Sequence, residues 1–155
     1  VIALALAIAP ISAQEESTTC EEGFRLFNHE YLATEPVCIP EEPQRIIALD
    51  EGVMADLIAL GVEPIGVHDW ANRDYTRYLD TETIVSVGTT EGPNLEAMLE
   101  LDPDLIIAKA GDMAWYGDDA LETFQSIANQ ITLQTDNDPT DQFIAGSRLQ
   151  IWLYR

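Results

Sequence analysis

The residues best suited to chemistry stand in two short stretches. Residues 69–78, "DWANRDYTRY", hold Trp70, Arg73, Tyr75, Arg77 and Tyr78. An arginine guanidinium is a planar fork of N–H donors that matches carboxylate, hydroxamate or catecholate oxygens. Trp and Tyr add flat apolar walls with a polar tip. Two of the chain's seven cations interleaved with three aromatics suit the grip of an oxygen-rich small molecule. The plain alternative is loop packing with Arg–acid pairs. The second stretch, "DMAWYG", places Trp115 and Tyr116 after an apolar run, where they wall a site or anchor a loop.

Signals for catalysis are thin. His29 and His68 are the two histidines. His68, followed by Asp69, could join a metal site or an acid–base pair, but a metal centre wants further ligands at set spacing. No nucleophile is placed beside it. The turn "GTTEGP" is not a dinucleotide fingerprint, the chain has no P-loop, and the turn holds no basic residue, so a phosphate cradle is not expected. The sequence therefore points to binding residues, with no catalytic residue, metal centre or cofactor.

The elements that position these residues follow from periodicity. "RIIAL" is a short apolar run suited to a strand buried on both faces, and "PIGVH", "TIVSVG", "DLIIAKA" and "QITLQT" read as further strands. Between them, Val53, Met54, Leu57 and Ile58 recur at helical spacing after Asp50, a capping residue, and before Gly61, a stop. Asn94 caps a second helix in which Leu95, Met98 and Leu99 share a face, with Glu96 in its first turn. Leu121, Phe124, Ile127 and Ala128 mark another. Strands alternating with helices predict crossover connections: an α/β fold, a parallel sheet with flanking helices in a Rossmann-like lobe. Ligands then sit at the carboxyl ends of the strands, here residues 49–51, 68–70, 88–91 and 110–112. The glycines of "GTTEG" let backbone come close to something on that edge.

Composition sets the remaining bounds. The 155 residues, 46% hydrophobic, suffice for one core. With 28 acidic and 7 basic residues the net charge is -21, which disfavours nucleic acid as a partner. Residues 1–13, "VIALALAIAPISA", carry no charge and have the length of a signal-peptide core, too short to span a membrane. Cleavage is expected after Ala13, and the chain is expected to be exported. In that compartment Cys20 and Cys38 read as a disulfide, worth about 3 kcal/mol in the chain-entropy view. It ties an N-terminal hairpin within residues 14–44. Residues 45–135 form the α/β lobe. Residues 136–155 do not fit the alternation, and a truncation is expected from about Gly146.

The ordered pair "VGTTEGPNLEAMLELDPDLIIAKAGD", together with "CIPEEPQRIIALDEGVMADLIALGVEPIGVHDW", resembles the N-terminal lobe of iron-siderophore and cobalamin periplasmic binding proteins. These are solute-binding components of ABC importers with a rigid helical backbone between lobes. The resemblance implies two facing lobes, a small-molecule iron chelate held between them, docking onto a permease dimer and a periplasmic location. It places Trp70, Arg73, Tyr75 and Arg77 on the cleft wall, with Trp115 and Tyr116 a further wall. Glu96 becomes the acid that pairs with permease arginines. Thr90 stands where cobalamin binders carry a Trp, which favours a ferric siderophore over cobalamin. No second lobe or long linking helix is evident, so the chain is read as a fragment. The competing readings are an exported hydrolase-like enzyme using His68 and Asp69, and a receptor for a bare metal ion.

Overall fold

The structure is a computed structural model that describes residues 19–69 and 83–134. Residues 1–13 and 136–155, with the expectations attached to them, lie outside the described residues, as do Trp70, Arg73, Tyr75 and Arg77.

The described residues open with an antiparallel hairpin, β1 (Phe24–Phe27) and β2 (Val37–Pro40). A disulfide joins Cys20 to Cys38 across its base. A six-stranded sheet follows, built from β3 (Ile46–Ala48), β4 (Gly66–His68), β5 (Val85–Thr89), β6 (Gly92–Pro93), β7 (Leu105–Lys109) and β8 (Asn129–Leu133). Its spatial order is β6-β5-β4-β3-β7-β8. All neighbours are parallel except β6, which folds back antiparallel on β5. From β3 the chain steps to β4 and β5 on one side, then returns to lay β7 and β8 on the other. The order therefore reverses between β3 and β7, and at such a switch point the carboxyl ends of adjacent strands open a crevice.

Alternation along the central strands fills both faces. Ile46, Ala48, Leu105 and Ile107 pack on one side with Val53, Met54 and Leu57 of α1 (Glu51–Ala59) and with Phe27 and Ile39 of the hairpin. Ile47, Leu49, Ile106 and Ala108 point the other way. They meet Met98 of α2 (Leu95–Glu100), Met113 of α3 (Ala110–Tyr116) and Phe124 of α4 (Ala120–Gln125). Double burial explains why these strands read as continuous apolar runs.

The helix ends match the sequence. Asp50 accepts a hydrogen bond from Val53 N at 3.0 Å, and Asn94 accepts one from Ala97 N at 3.1 Å. Gly61 adopts φ 74°, and Gly61 N→Ile58 O with Val62 N→Leu57 O close α1 in a Schellman motif. At the opposite edge Asp104 accepts from Gln44 N (2.7 Å) and Arg45 N (3.0 Å), while Arg45 donates to the carbonyls of Asp102 and Leu101. That clamp holds the "DPD" turn against the entry to β3.

Two features go beyond the sequence expectation. Residues 110–116 form α3, a helix with no counterpart in the sequence pattern. Its N-cap, Lys109, makes no side-chain capping bond, so no start signal was visible. In α2 only Met98 is buried, while Leu99 is 60% exposed and Leu95 37%. A six-residue helix makes fewer than two turns, and one side chain suffices to seat it on the sheet.

The hairpin does more than extend the core. Its connection runs alongside β8: Ala33 N bonds Thr132 O and Gln134 N bonds Tyr31 O, each at 2.8 Å, and Leu32 pairs with Leu133. The outer edge of β8 is thereby occupied at its end.

Candidate functional site

Three groups converge on the carboxyl rim of the sheet. The first is the turn between β5 and β6. Thr90 is exposed there, and Glu91 N bonds Thr89 Oγ1 at 3.1 Å. The second is His68, the last residue of β4, fully buried. Its Nε2 lies 3.0 Å from Thr89 O, and it donates to that carbonyl. The third is the aromatic end of α3. Trp115 stands edge-on to the His68 ring with centroids 5.9 Å apart, and Tyr116 lies tilted at 5.9 Å. Trp115 and Tyr116 are 5.3 Å apart, and Tyr116 rests its other side on Phe124. Trp115 remains 46% exposed, so a large aromatic surface is presented at the rim. The structure thus brings Thr90, Trp115 and Tyr116 to one edge, through His68.

The close approach at Gly88 is made by a side chain of the chain itself. A methyl group added at Gly88 would fall 2.8 Å from His68 Cδ2. What comes close to that backbone is the imidazole. Burial pushes the His68 pKa below its ordinary value, against the opposing pull of the Thr89 carbonyl and Asp69. Asp69 in turn accepts from Ser86 Oγ. Asp69 is thus engaged by a strand hydroxyl and His68 by a backbone carbonyl.

At the switch point Lys109 ends β7 and pairs with Asp50, which follows β3, at 2.9 Å. The cap and the strand-end position of Asp50 follow from the sequence; the charge pair follows from the strand order. Asp112, on the first turn of α3, joins them. Burial raises its carboxyl to about 6, with Asp50 adding to the rise and Lys109 opposing it. Burial likewise raises Asp56 of α1 to about 6, offset by Lys109 and reinforced by Asp50. The Tyr116 hydroxyl is pushed upward by burial, then by Asp112 and Asp50. Among the described residues no three or more His, Cys, Asp or Glu stand together as metal ligands.

Glu96 is carried by a different helix from Trp115 and Tyr116. It is exposed in the first turn of α2, the helix launched from β6 through Asn94, whose N–H bonds Val87 O at 2.8 Å. Among the described residues no helix is long and apolar enough to cross a membrane.

A mostly parallel sheet flanked by helices, with an aromatic rim at its strand ends, defines an α/β lobe. Residues 46–145 match the periplasmic binding protein family, and the chain belongs to that family. It is 40% identical over 76 residues to YhfQ of Bacillus subtilis (strain 168), which is named for ABC transporter substrate binding; the match covers 45% of this chain and 23% of YhfQ. It is 45% identical over 73 residues to YfiY of the same organism, named a probable siderophore-binding lipoprotein, covering 44% of this chain and 22% of YfiY. The crystal structure of the petrobactin-binding protein YclQ from Bacillus subtilis superposes with a TM-score of 0.68 at 22% identity, over 84% of this chain and 45% of that one, a likeness of fold. The matched stretch spans about a quarter of the length of these curated relatives.

Proposed function

We propose that the chain is the N-terminal ligand-binding lobe of an exported solute-binding protein of an ABC importer, which captures a ferric siderophore and hands it to the permease. The observation that carries this reading is the rim: an exposed Trp115 beside Tyr116, locked to the Thr89–Thr90 turn through His68. Relatives named for siderophore and ABC transporter substrate binding support the ligand class. In this reading Trp70, Arg73, Tyr75 and Arg77 join Thr90, Trp115 and Tyr116 on the ligand, the arginine forks meeting chelate oxygens. Glu96, exposed on the helix beyond the turn, docks on permease arginines. The protein binds and releases its cargo and catalyses no reaction; the cargo carries the iron, and the chain holds no cofactor of its own. Export places it in the periplasm.

Tryptophan emission tests the binding. Titration with ferric citrate, a ferric tris-hydroxamate and a ferric tris-catecholate is expected to give saturable quenching by at least one, reduced in Trp115→Ala. Unchanged emission with all three overturns the reading.

A further inference from the structure

We propose that His68 is a positioning residue: without contacting the ligand, it locks the turn after β5 to the aromatic wall on α3, and chelate affinity depends on that lock. The inference rests on the proposed binding function and adds a residue that neither composition nor spacing marked for this role.

Four observations meet at the imidazole. It is fully buried at the end of β4. Its Nε2–H donates to Thr89 O across 3.0 Å, reaching over Gly88, where no side chain larger than hydrogen fits. The ring faces Trp115 and Tyr116, both at 5.9 Å. The pairing of β4 with β5 also slips at this residue: Val67 sits opposite Ser86, but His68 opposite Gly88, so β5 carries one extra residue, Val87. A bulge of this kind re-aims side chains at a strand's end. Here it brings the Thr89 carbonyl within reach of the imidazole.

Among the described residues the bond joins a short set of contacts at the turn, Glu91 N to Thr89 Oγ1 and Asn94 N to Val87 O, and is the one that ties it to β4 through a side chain. β6 is two residues long, pairing Gly88 with Pro93 and Thr89 with Gly92. A loose turn would let Thr90 wander and would withdraw one support of the Trp115 ring. Ordering both groups at the moment of binding would then lower affinity by the entropy it costs. A pre-locked rim avoids that loss.

The test uses the geometry of amide side chains. In His68→Gln the amide nitrogen falls near the Nε2 position and restores the donor. In His68→Asn it falls short, near Nδ1. His68→Phe keeps the ring and removes the donor. Hydrogen exchange at the amides of residues 90–92 and the dissociation constant of the ferric chelate that quenches the parent are measured in each. The lock predicts values within three-fold of the parent for Gln, and exchange and dissociation constants each raised about ten-fold or more for Asn and Phe. Gln behaving like Asn, or Asn and Phe within two-fold of the parent, overturns it. The tautomer is read on the unaltered protein by nitrogen NMR, independent of any variant's folding: a proton on Nε2 is expected, and one on Nδ1 alone removes the proposal. If no chelate binds the parent, the binding function fails, while exchange and tautomer still decide whether the lock exists.

Discussion

Lys109 Nζ and Asp50 Oδ1 lie 2.9 Å apart, joining the ends of β7 and β3 across the point where the sheet's order reverses. Both side chains are 16% exposed, so the pair is mostly withdrawn from water. Removing the cation alone strands Asp50 beside Asp56 and Asp112. Lys109→Met is therefore expected to destabilise the fold by about 2–3 kcal/mol, read from urea unfolding. A loss below about 0.5 kcal/mol would show the pair to be a surface contact in energetic terms.

The carboxyls of Asp56 and Asp112 give a pH signature. Both titrate near 6 in the folded chain, above the ordinary 3.8. The folded state therefore binds more protons than the unfolded state between about pH 4 and 6, and stability falls as pH rises through that window. The penalty is absent below pH 4 and complete above about pH 7. Asp112→Asn is expected to raise stability at pH 7.5 by about 1 kcal/mol, discounted for partial solvent contact, and to flatten the slope. Urea midpoints from pH 4.5 to 8 measure it; an unchanged slope contradicts the assignment.

Glu96→Ala should separate capture from delivery. The side chain is exposed on α2. Chelate affinity and unfolding midpoint are expected to stay at parental values, while iron uptake by cells drops about ten-fold, as for loss of one charge in a complementary interface. Parental uptake rates would remove Glu96 from the docking surface.

The Cys20–Cys38 bridge predicts no alkylatable thiol without reductant. Replacing both cysteines by Ser is expected to cost about 3 kcal/mol, seen as a lower urea midpoint. Thiol labelling of the untreated protein would contradict the bridge.

The helix asparagine offers a smaller test. Asn94 caps α2 through Ala97 N. Asn94→Ala is expected to cost about 1 kcal/mol, measured in the same unfolding assay, with no change at a site away from α2.

Much of this architecture was legible in the residues. β3, β4, β7 and β8 announce themselves as apolar runs because both faces of the sheet are covered there, β5 is only half covered, with Val85 and Ser86 exposed, and Asp50, Gly61 and Asn94 mark helix ends by chemistry that acts within four residues. α3 escaped because Lys109 does not cap, and β6 because a two-residue strand has no period. The order of the strands escaped for a deeper reason: hydrophobic patterning says which residues are inside, not which strand lies beside which. The Lys109–Asp50 pair joins residues far apart in the chain, so no local pattern could reveal it. The His68–Thr89 bond hangs on a bulge that only the register shows. Trp115 and Tyr116 stand out by residue type after an apolar run and Thr90 through the family resemblance, and the structure has all three at the carboxyl rim.

The segment linking β1 to β2 lies against β8, the outermost strand of the sheet. A bare parallel edge offers unpaired amides and carbonyls to any passing extended chain. Tyr31 and Ala33 occupy such groups on Thr132 and Gln134. The segment between the strands of the cystine-bridged hairpin thus closes the end of that edge, and a chain shorn of it would leave those groups open to pairing with another extended chain.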